Sequence, residues 1–400
     1  MEKIMAVNAG SSSLKFQILE MPSEKLIAKG LIEKIGAVDP ALELDYYVND
    51  EKNEYKSKLT IKNHAEAVKV LLDTLLEKKI LNNLNELTGI GHRVLHGGSK
   101  FTQSVLINQD VIDTIIEVSP LGPLHNPANV TGIKACMEVL PNVPQVAVFD
   151  TSFHQTMEPE AYMYAVPYEW YEKYGVRRYG FHGTSHMYVS LEAAKYLGKK
   201  PEELRIITVH IGNGASLAAV KYGKCVDTSM GLTPLAGIPM GTRSGDIDPA
   251  IVNYICEQTK LTPSDVTTIL NKKSGYYAFN DGKSDARELR ANQEKGDKLA
   301  DLIIKMQDKG IADYISRYYG YMGGADAIVF TAGIGEKSPQ TRYEVCERLK
   351  EAFGIEIDEE KNNIKSKGIM EISKPTSKIK LLVIPTNEEL MIARDVMRLK

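Results

Sequence analysis

The sequence predicts an α/β protein of two domains that arose by duplication, and three observations carry that expectation. The chain has 400 residues, more than most single hydrophobic cores support. A strand-turn-strand unit occurs twice. Ile4 to Val7, the turn Asn8-Ala9-Gly10-Ser11-Ser12-Ser13-Leu14-Lys15 and Phe16 to Leu19 form the first, and Ile206 to His210, Ile211-Gly212-Asn213-Gly214-Ala215-Ser216 and Leu217 to Val220 form the second. Such a repeat implies two related halves whose polar turns face each other across a cleft. Finally, the strand Ala327 to Thr331 runs into Gly333-Ile334-Gly335-Glu336, a glycine-rich strand-to-helix turn that lets backbone lie against a nucleotide.

The first turn has the composition of a phosphate site. Gly10 tolerates positive φ and close backbone approach, small hydroxyls and successive N–H groups line a concave anion site, and Lys15 adds a point charge. No G-x-x-x-x-G-K-[ST] motif follows the strand, so the nucleoside triphosphatase P-loop is not the explanation. Taken singly, the segment is also an ordinary Gly/Ser turn. Its recurrence some 200 residues later favours a paired function.

The elements follow in order. Asn63-His64-Ala65-Glu66 opens a helix in capping-box fashion, with Val68, Leu71, Leu72, Leu75 and Leu76 on one face through Lys79. Asn126-Pro127 starts another that runs to about Leu140. Gln145 to Phe149 reads as a buried strand ending at Asp150, and ligands of open α/β sheets gather beyond such carboxyl ends. The boundary is placed there, giving domains 1–150 and 151–385. Asp248-Pro249 and Thr262-Pro263 cap two further helices, and a third runs from about Asp297 to Tyr319 with an interruption at Gly310. The last helix, near Glu388 to Met397, follows the strand Lys380 to Ile384; the segment of about 386–400 is expected to pack back on the first domain.

Composition narrows the partners. Charged residues at 25%, hydrophobic residues at 43% and a net charge of −3 leave no electrostatic footprint for nucleic acid or an anionic membrane, so a small-molecule partner is expected. Cys136, Cys225, Cys256 and Cys346 lack C-x-x-C spacing and read as free thiols. The N-terminus enters a strand within three residues without an apolar h-region, which predicts a cytoplasmic protein.

All histidines but His64 fall between residues 92 and 210, and His182 and His186 stand four apart, at helical ligand spacing. They read as hydrogen-bonding groups rather than a zinc site. Arg93, in Gly91-His92-Arg93-Val94-Leu95-His96-Gly97-Gly98, and Arg243, in Met240-Gly241-Thr242-Arg243-Ser244-Gly245-Asp246, each sit among glycines where a guanidinium fork can meet a carboxylate or phosphate. A surface ion pair is the plainer alternative for either. Glu388 and Glu389 after Asn387 either cap a helix or hold Mg²⁺; Ser284-Asp285-Ala286-Arg287-Glu288 either binds a ribose or starts a helix.

These segments, NAGSSSLKF, GHRVLHGG, PLHNP, VFDTSFH, RRYGFHGTSH, HIGNGAS, DTSMGLTPL, MGTRSGDIDP, FTAGIGE and PTNEE, occur in the order found in the acetate kinase family, which the sequence resembles along essentially its whole length. The resemblance implies a duplicated actin-like (ribonuclease H-like) fold with a central ATP cleft, and reversible transfer of the ATP γ-phosphoryl group to acetate. It implies Mg²⁺, with Mn²⁺ able to substitute, ATP/ADP as co-substrate and a homodimer.

Matched by motif, the resemblance implies that Arg93 binds acetate, that Arg243 and His182 stabilise the phosphoryl group in flight, and that Asn8 and Glu388 hold magnesium with Asp150 beside them. Leu95, Leu124, Phe181 and Pro234 match the positions around the substrate methyl group. Lys15 and the turn His210, Ile211, Gly212, Asn213 and Gly214 match the phosphate contacts; Asp285, Ala286 and Arg287 match the ribose and adenine contacts; Gly333, Ile334, Gly335, Glu336 and Lys337 match the adenosine loop. Two departures bear on the base. Lys337 stands where many members carry asparagine, and Gly275-Tyr276-Tyr277-Ala278 replaces a more usual Gly-Leu-Leu-Gly. Leu95 is larger than the valine often found there, which favours acetate over propionate. Propionate or butyrate kinase and a non-metabolic actin/Hsp70-type ATPase module are the competing functions. A sugar kinase would call for a catalytic base and polar sugar contacts instead of an apolar pocket.

Overall fold

In a computed structural model, residues 1–48, 51–123, 125–365 and 368–400 are described. They form two compact units, Met1–Phe153 with Asn387–Lys400, and His154–Thr386. Each is organised around one sheet.

The first sheet contains β1 (Glu2–Ala9), β2 (Ser13–Met21), β3 (Lys25–Glu33), β4 (Ala41–Val48), β5 (Glu51–Lys58), β6 (Leu87–Val94), β7 (Val105–Leu106) and β8 (Gln145–Phe149), in the order β5-β4-β3-β2-β1-β6-β8-β7. The second contains β9 (Arg205–Ile211), β10 (Ala215–Lys221), β11 (Lys224–Thr228), β12 (Ala327–Thr331), β13 (Met370–Glu371) and β14 (Lys380–Val383), in the order β11-β10-β9-β12-β14-β13. Duplication is visible in the pairing. In the first sheet β1 is antiparallel to β2 and parallel to β6, which is parallel to β8. In the second, β9 is antiparallel to β10 and parallel to β12, which is parallel to β14. The parallel strands are buried on both faces, as their unbroken apolar runs Val146 to Phe149 and Ala327 to Phe330 require.

Local sequence explains most element ends. Asn63 caps the helix His64–Glu77 by accepting from the Glu66 N–H at 2.9 Å, and Ala67, Val68, Leu71, Leu72 and Leu75 are its buried stripe. Thr262 and Asp265 form a reciprocal capping box on the helix Pro263–Lys272. Two expectations are corrected. The helix Lys298–Met322 is continuous through Gly310, which is there because a Cβ would lie 3.1 Å from Ile238 Cγ2; close packing, not a break, explains it. Asn126 is the first residue of the helix Asn126–Val139 rather than its cap, and its amide instead bonds both the N–H and the carbonyl of His96.

Glycines also set the position of the C-terminal helix Glu388–Leu399. Gly89, Gly91 and Arg93 share one face of β6 by strand alternation. A Cβ at Gly89 would come within 2.5 Å of Val396 Cγ1, and one at Gly91 within 2.2 Å of Ile392 Cγ2. Their absence lets the helix lie on the strand and brings its first residue, Glu388, to Arg93. Replacing Gly91 by valine is therefore expected to cost about 1–3 kcal/mol, or roughly 2–4 °C of thermal midpoint per kcal/mol. Gly320→Ala, at a helical site with no atom near its missing Cβ, should instead be neutral or stabilising. Differential scanning calorimetry of the pair checks both.

Candidate active site

In the first unit, the candidate residues collect at the ends of β1, β6 and β8. Asn8 pairs with Lys15 in the β1–β2 register, and Ala9 pairs with Leu14; the turn between them closes through Gly10 N–H to Ser13 O at 2.9 Å. Two side chains that no sequence motif singles out brace it. His64 Nε2 lies 2.8 Å from the Gly10 carbonyl, and Asn129 Nδ2 donates to the Ala9 carbonyl at 2.9 Å. Each polar group sits on an inward helix face, which is the signal that could have found them.

Arg93 donates from Nε and Nη2 to the two carboxylate oxygens of Asp150, at 2.8 and 2.7 Å. Asp150 is 1% exposed, directly after β8, so this fork-to-fork pair satisfies a carboxylate that burial alone would penalise. Glu388 Oε2 lies 4.0 Å from Arg93 Nε, and Lys15 Nζ reaches Glu389 Oε1 at 2.5 Å. Burial opposes the Arg93 charge, but Asp150 and then Glu388 outweigh it and hold the guanidinium protonated. Burial raises the Glu388 carboxyl above its usual range, only partly offset by Arg93. Among the described residues, Asp150, Glu388 and Glu389 thus pair with two cations, Arg93 and Lys15.

A carboxylate cluster with surplus negative charge suits a hard divalent cation, and Asn8 and Glu388 are the residues that could hold one. Among the described residues, no group of three or more His, Cys, Asp or Glu is arranged to hold a metal by itself. Magnesium tolerates this, because it keeps waters and takes phosphate oxygens. Leu95, half-buried, is held through its N–H to Asn129 Oδ1 at 3.1 Å. Leu124 lies outside the described residues.

In the second unit, the β9–β10 turn is tighter by one residue. Ile211 pairs with Ala215, and Gly212 N–H bonds Gly214 O at 2.9 Å. The buried Gly241 lets Asn213 dock, since a Cβ there would lie 2.0 Å from Asn213 Oδ1, and the Gly241 N–H bonds the Asn213 carbonyl. Gly275, at φ +58, is equally required: a Cβ would fall 1.9 Å from Met240 O.

Arg243 and His182 converge on this turn. A Cβ on Gly214 would be 3.3 Å from Arg243 Nη1 and 3.5 Å from His182 Nε2. The partners of Arg243 are the Pro234 carbonyl at 3.1 Å and Met240 Sδ at 3.6 Å, and among the described residues no carboxylate pairs with it. Burial accordingly lowers its pKa. His182 occupies the left-handed region at φ 57, ahead of the helix Gly183–Tyr196, and stacks on His210 with ring centroids 4.1 Å apart. His210 Nδ1 is 2.8 Å from Ser185 Oγ. Phe181 is buried, and its carbonyl accepts from His154 Nε2 at 2.9 Å.

Next to the same turn, a cavity of about 690 Å³ is lined by Gly212, Asn213, Asp285, Ala286, Arg287, Gly333, Ile334 and Lys337. Asp285 starts a helix after all, accepting from the Arg287 N–H, and grips the Arg287 guanidinium; that hydrogen bond lowers it to about 2. The sequence-predicted glycine turn is already helical from Ala332 to Lys337, with Ala332 at φ 62. Its brace is Arg342, which sequence inspection missed. This 1% exposed guanidinium donates to the Gly335 and Glu336 carbonyls at 2.9 Å and to Asn362.

The sequence model of the Acetokinase family matches residues 3–394. The chain belongs to that family. The acetate kinase of Thermotoga maritima is 55% identical over 399 residues, spanning 98% of this chain and 97% of its own. The crystal structure of Porphyromonas gingivalis acetate kinase is similar with a TM-score of 0.94 at 43% identity, over 100% of this chain and 99% of that one. A propionate kinase from Francisella tularensis gives a TM-score of 0.93 at 40% identity over the whole of both chains.

Tyr276 lines the cavity, and its hydroxyl is satisfied by Gln307. Behind Gln307, Asp308 is 1% exposed and lies 3.8 Å from Arg290, which also binds Thr341 and Glu344. Burial first, and then the Glu344 carboxyl, push Asp308 up to about 9. Glu344 moves down, because the hydrogen bond from Asp308 and the charge of Arg290 outweigh its own burial. A carboxyl raised in the folded state binds a proton that the unfolded chain has released, so this group's contribution to stability falls as pH rises from about 4 to about 9. Asp308→Asn removes the titration. It should raise the thermal midpoint more at pH 8 than at pH 5, as measured by scanning fluorimetry at the two pH values.

Proposed function

We propose that the chain catalyses Mg²⁺-dependent, reversible transfer of the γ-phosphoryl group of ATP to acetate, giving acetyl phosphate and ADP. The observation that carries this reading is Arg243, a partly buried guanidinium with no carboxylate partner among the described residues, which meets His182 at a glycine turn beside a nucleoside-sized cavity. Such a cation is poised for an anion supplied by the substrate.

Acetate, with a pKa near 4, is already ionised at neutral pH, so the acceptor needs no general base. A carboxylate oxygen attacks the γ-phosphorus as the bond to the β-phosphate oxygen breaks and ADP departs. The obstacle is repulsion between anions, about 1 kcal/mol at 4 Å in water and about 4 kcal/mol at an effective dielectric near 20. Arg93 offsets it on the acceptor: Asp150 occupies Nε and Nη2, which leaves the Nη1 edge for the acetate carboxylate. Arg243 and His182 act on the equatorial oxygens of the moving group. Asp150 orients Arg93 in this scheme and does not take a proton. Magnesium, held through Asn8 and Glu388, would neutralise charge on the β- and γ-phosphates.

Lys15 and the turn His210 to Gly214 are assigned to the phosphates, and the cavity residues to the nucleoside, with Lys337 in place of the family's frequent asparagine. Leu95, Leu124, Phe181 and Pro234 are assigned to the methyl group. The identity to a propionate kinase makes propionate the competing acceptor. The bulk of Leu95 favours acetate, by at most the roughly 1–3 kcal/mol that a methylene commands. A cytoplasmic homodimer completes the reading.

Arg243→Ala is expected to leave circular dichroism unchanged and to lower kcat by about 10³ to 10⁵. Trapping acyl phosphate with hydroxylamine reads this out, with acetate, propionate, butyrate and glycerol in parallel. Normal turnover in the variant would remove Arg243 from the mechanism; no acyl hydroxamate from the parent enzyme would reject carboxylate phosphorylation. Arg93→Lys keeps the charge but not the fork, and should raise the acetate KM at least about tenfold.

A further inference from the structure

Behind His182 runs a chain of hydrogen bonds that ends in the second sheet. His182 Nδ1 lies 2.8 Å from Ser216 Oγ, the same hydroxyl lies 2.8 Å from His186 Nε2, and His186 Nδ1 lies 2.7 Å from Thr208 Oγ1. Thr208 Oγ1 in turn donates to the Ala218 carbonyl at 3.4 Å. His186, Thr208 and Ser216 are all fully buried. The far end of the chain is a carbonyl, which only accepts.

We propose that Thr208, His186 and Ser216 are positioning residues that fix the tautomer of His182, keeping the proton on Nδ1 and leaving Nε2, beside Arg243, as the one nitrogen that gains or releases a proton. The direction follows from donor counting. With its proton committed to Ala218, the Thr208 hydroxyl accepts from His186 Nδ1–H. Burial first, and then the neighbouring His154 and His210, keep His186 neutral, so its Nε2 is an acceptor and takes the Ser216 proton. Ser216 Oγ is then left to accept from His182 Nδ1–H. In this arrangement the imidazolium form of His182 has a partner at Nδ1 and a donor at Nε2 facing the turn. The opposite polarity would point the Ser216 proton at Nδ1 and penalise the cation.

The groups around the relay sharpen its effect. His182 stacks on His210 and lies 6.4 Å from His186 between ring centroids; His154 lies 5.7 Å from His186; Arg243 Nη1 faces Gly214 as His182 Nε2 does.

The inference rests on the role proposed above for His182, and two measurements separate them. In the full-length enzyme labelled with ¹⁵N-histidine, long-range ¹H–¹⁵N spectra, assigned with His182→Ala and His186→Gln, should show neutral His182 and His186 both as the Nδ1–H tautomer, the less common one in water. An Nε2–H tautomer for either overturns the relay, whatever the activity. In kinetics, Thr208→Val removes the terminal hydroxyl at nearly constant shape, whereas Thr208→Ser retains it. Thr208→Val should lower kcat about tenfold with the KM for acetate and ATP unchanged, and move the alkaline limb of the kcat profile about one pH unit lower; Thr208→Ser should follow the parent enzyme. Identical profiles for the two variants overturn the relay. Full activity in His182→Ala, with the Nδ1–H tautomers present in the parent, would instead reject the catalytic role and leave the relay standing. Should Thr208→Val fail to fold, the spectra of the parent enzyme decide alone.

Discussion

A guanidinium held partly out of water, with no carboxylate partner among the described residues, is the constraint around which the second unit is arranged. Arg243 could satisfy itself with any nearby acid, and an acid there would cancel the charge it is meant to offer. The chain instead gives it a carbonyl and a thioether, which hold its direction and leave its charge nearly intact. Such an arrangement is costly, because burial disfavours an unpaired charge. The surrounding loop is correspondingly over-determined. Gly275 admits the Met240 carbonyl, Gly241 admits Asn213, and Tyr276 and Tyr277 each donate a backbone N–H to the loop, at Met240 and Gly241. Rigidity here is what keeps a lone cation from relaxing towards solvent.

The first unit solves the opposite problem. Its cluster carries more carboxylates than cations, and the Asp150 carboxylate accepts both forked bonds of Arg93. That pair depends on a contact far from it in sequence. Gly89 and Gly91 let the C-terminal helix settle on β6, and only then does Glu388 arrive beside the guanidinium. Local chemistry and long-range packing therefore meet in one strand, where the glycines admit the helix and the next residue on the same face, Arg93, forks onto Asp150.

What could be read from the sequence was whatever local chemistry determines. The two polar turns, the strand ending at Asp150, the capped helices at Asn63 and Thr262 and the unbroken apolar runs of the parallel strands all follow from short-range patterns, and the structure contains them. The arginines stand out because glycine-flanked cations are unusual, whereas His182 is singled out by its spacing from His186 and by the family resemblance. Less legible were groups whose purpose exists only after folding. His64, Asn126, Asn129 and Arg342 look like ordinary helix residues, yet each ties a backbone carbonyl at a turn or loop that holds candidate residues. Gly310 was misread for the same reason: its partner, Ile238, is distant in sequence, so close approach resembled a helix break.

Comparison of the two repeats shows how duplication permits division of labour. One pair in from the turns of corresponding hairpins, the first sheet pairs Asn8 with Lys15 and the second pairs His210 with Ser216. One pair offers an amide oxygen and an ammonium group, suited to a metal ion and a phosphate. The other offers a ring that stacks on His182 and a hydroxyl that bonds it, suited to holding a histidine still. The second turn is a residue shorter and leaves a bare glycine, Gly214, where Arg243 and His182 point. Had the first turn's serines been retained there, side chains would occupy the space in which the cations must meet an anion. The same backbone device thus serves once to bring ligands forward and once to clear room for them, and the difference is written in a single residue of turn length.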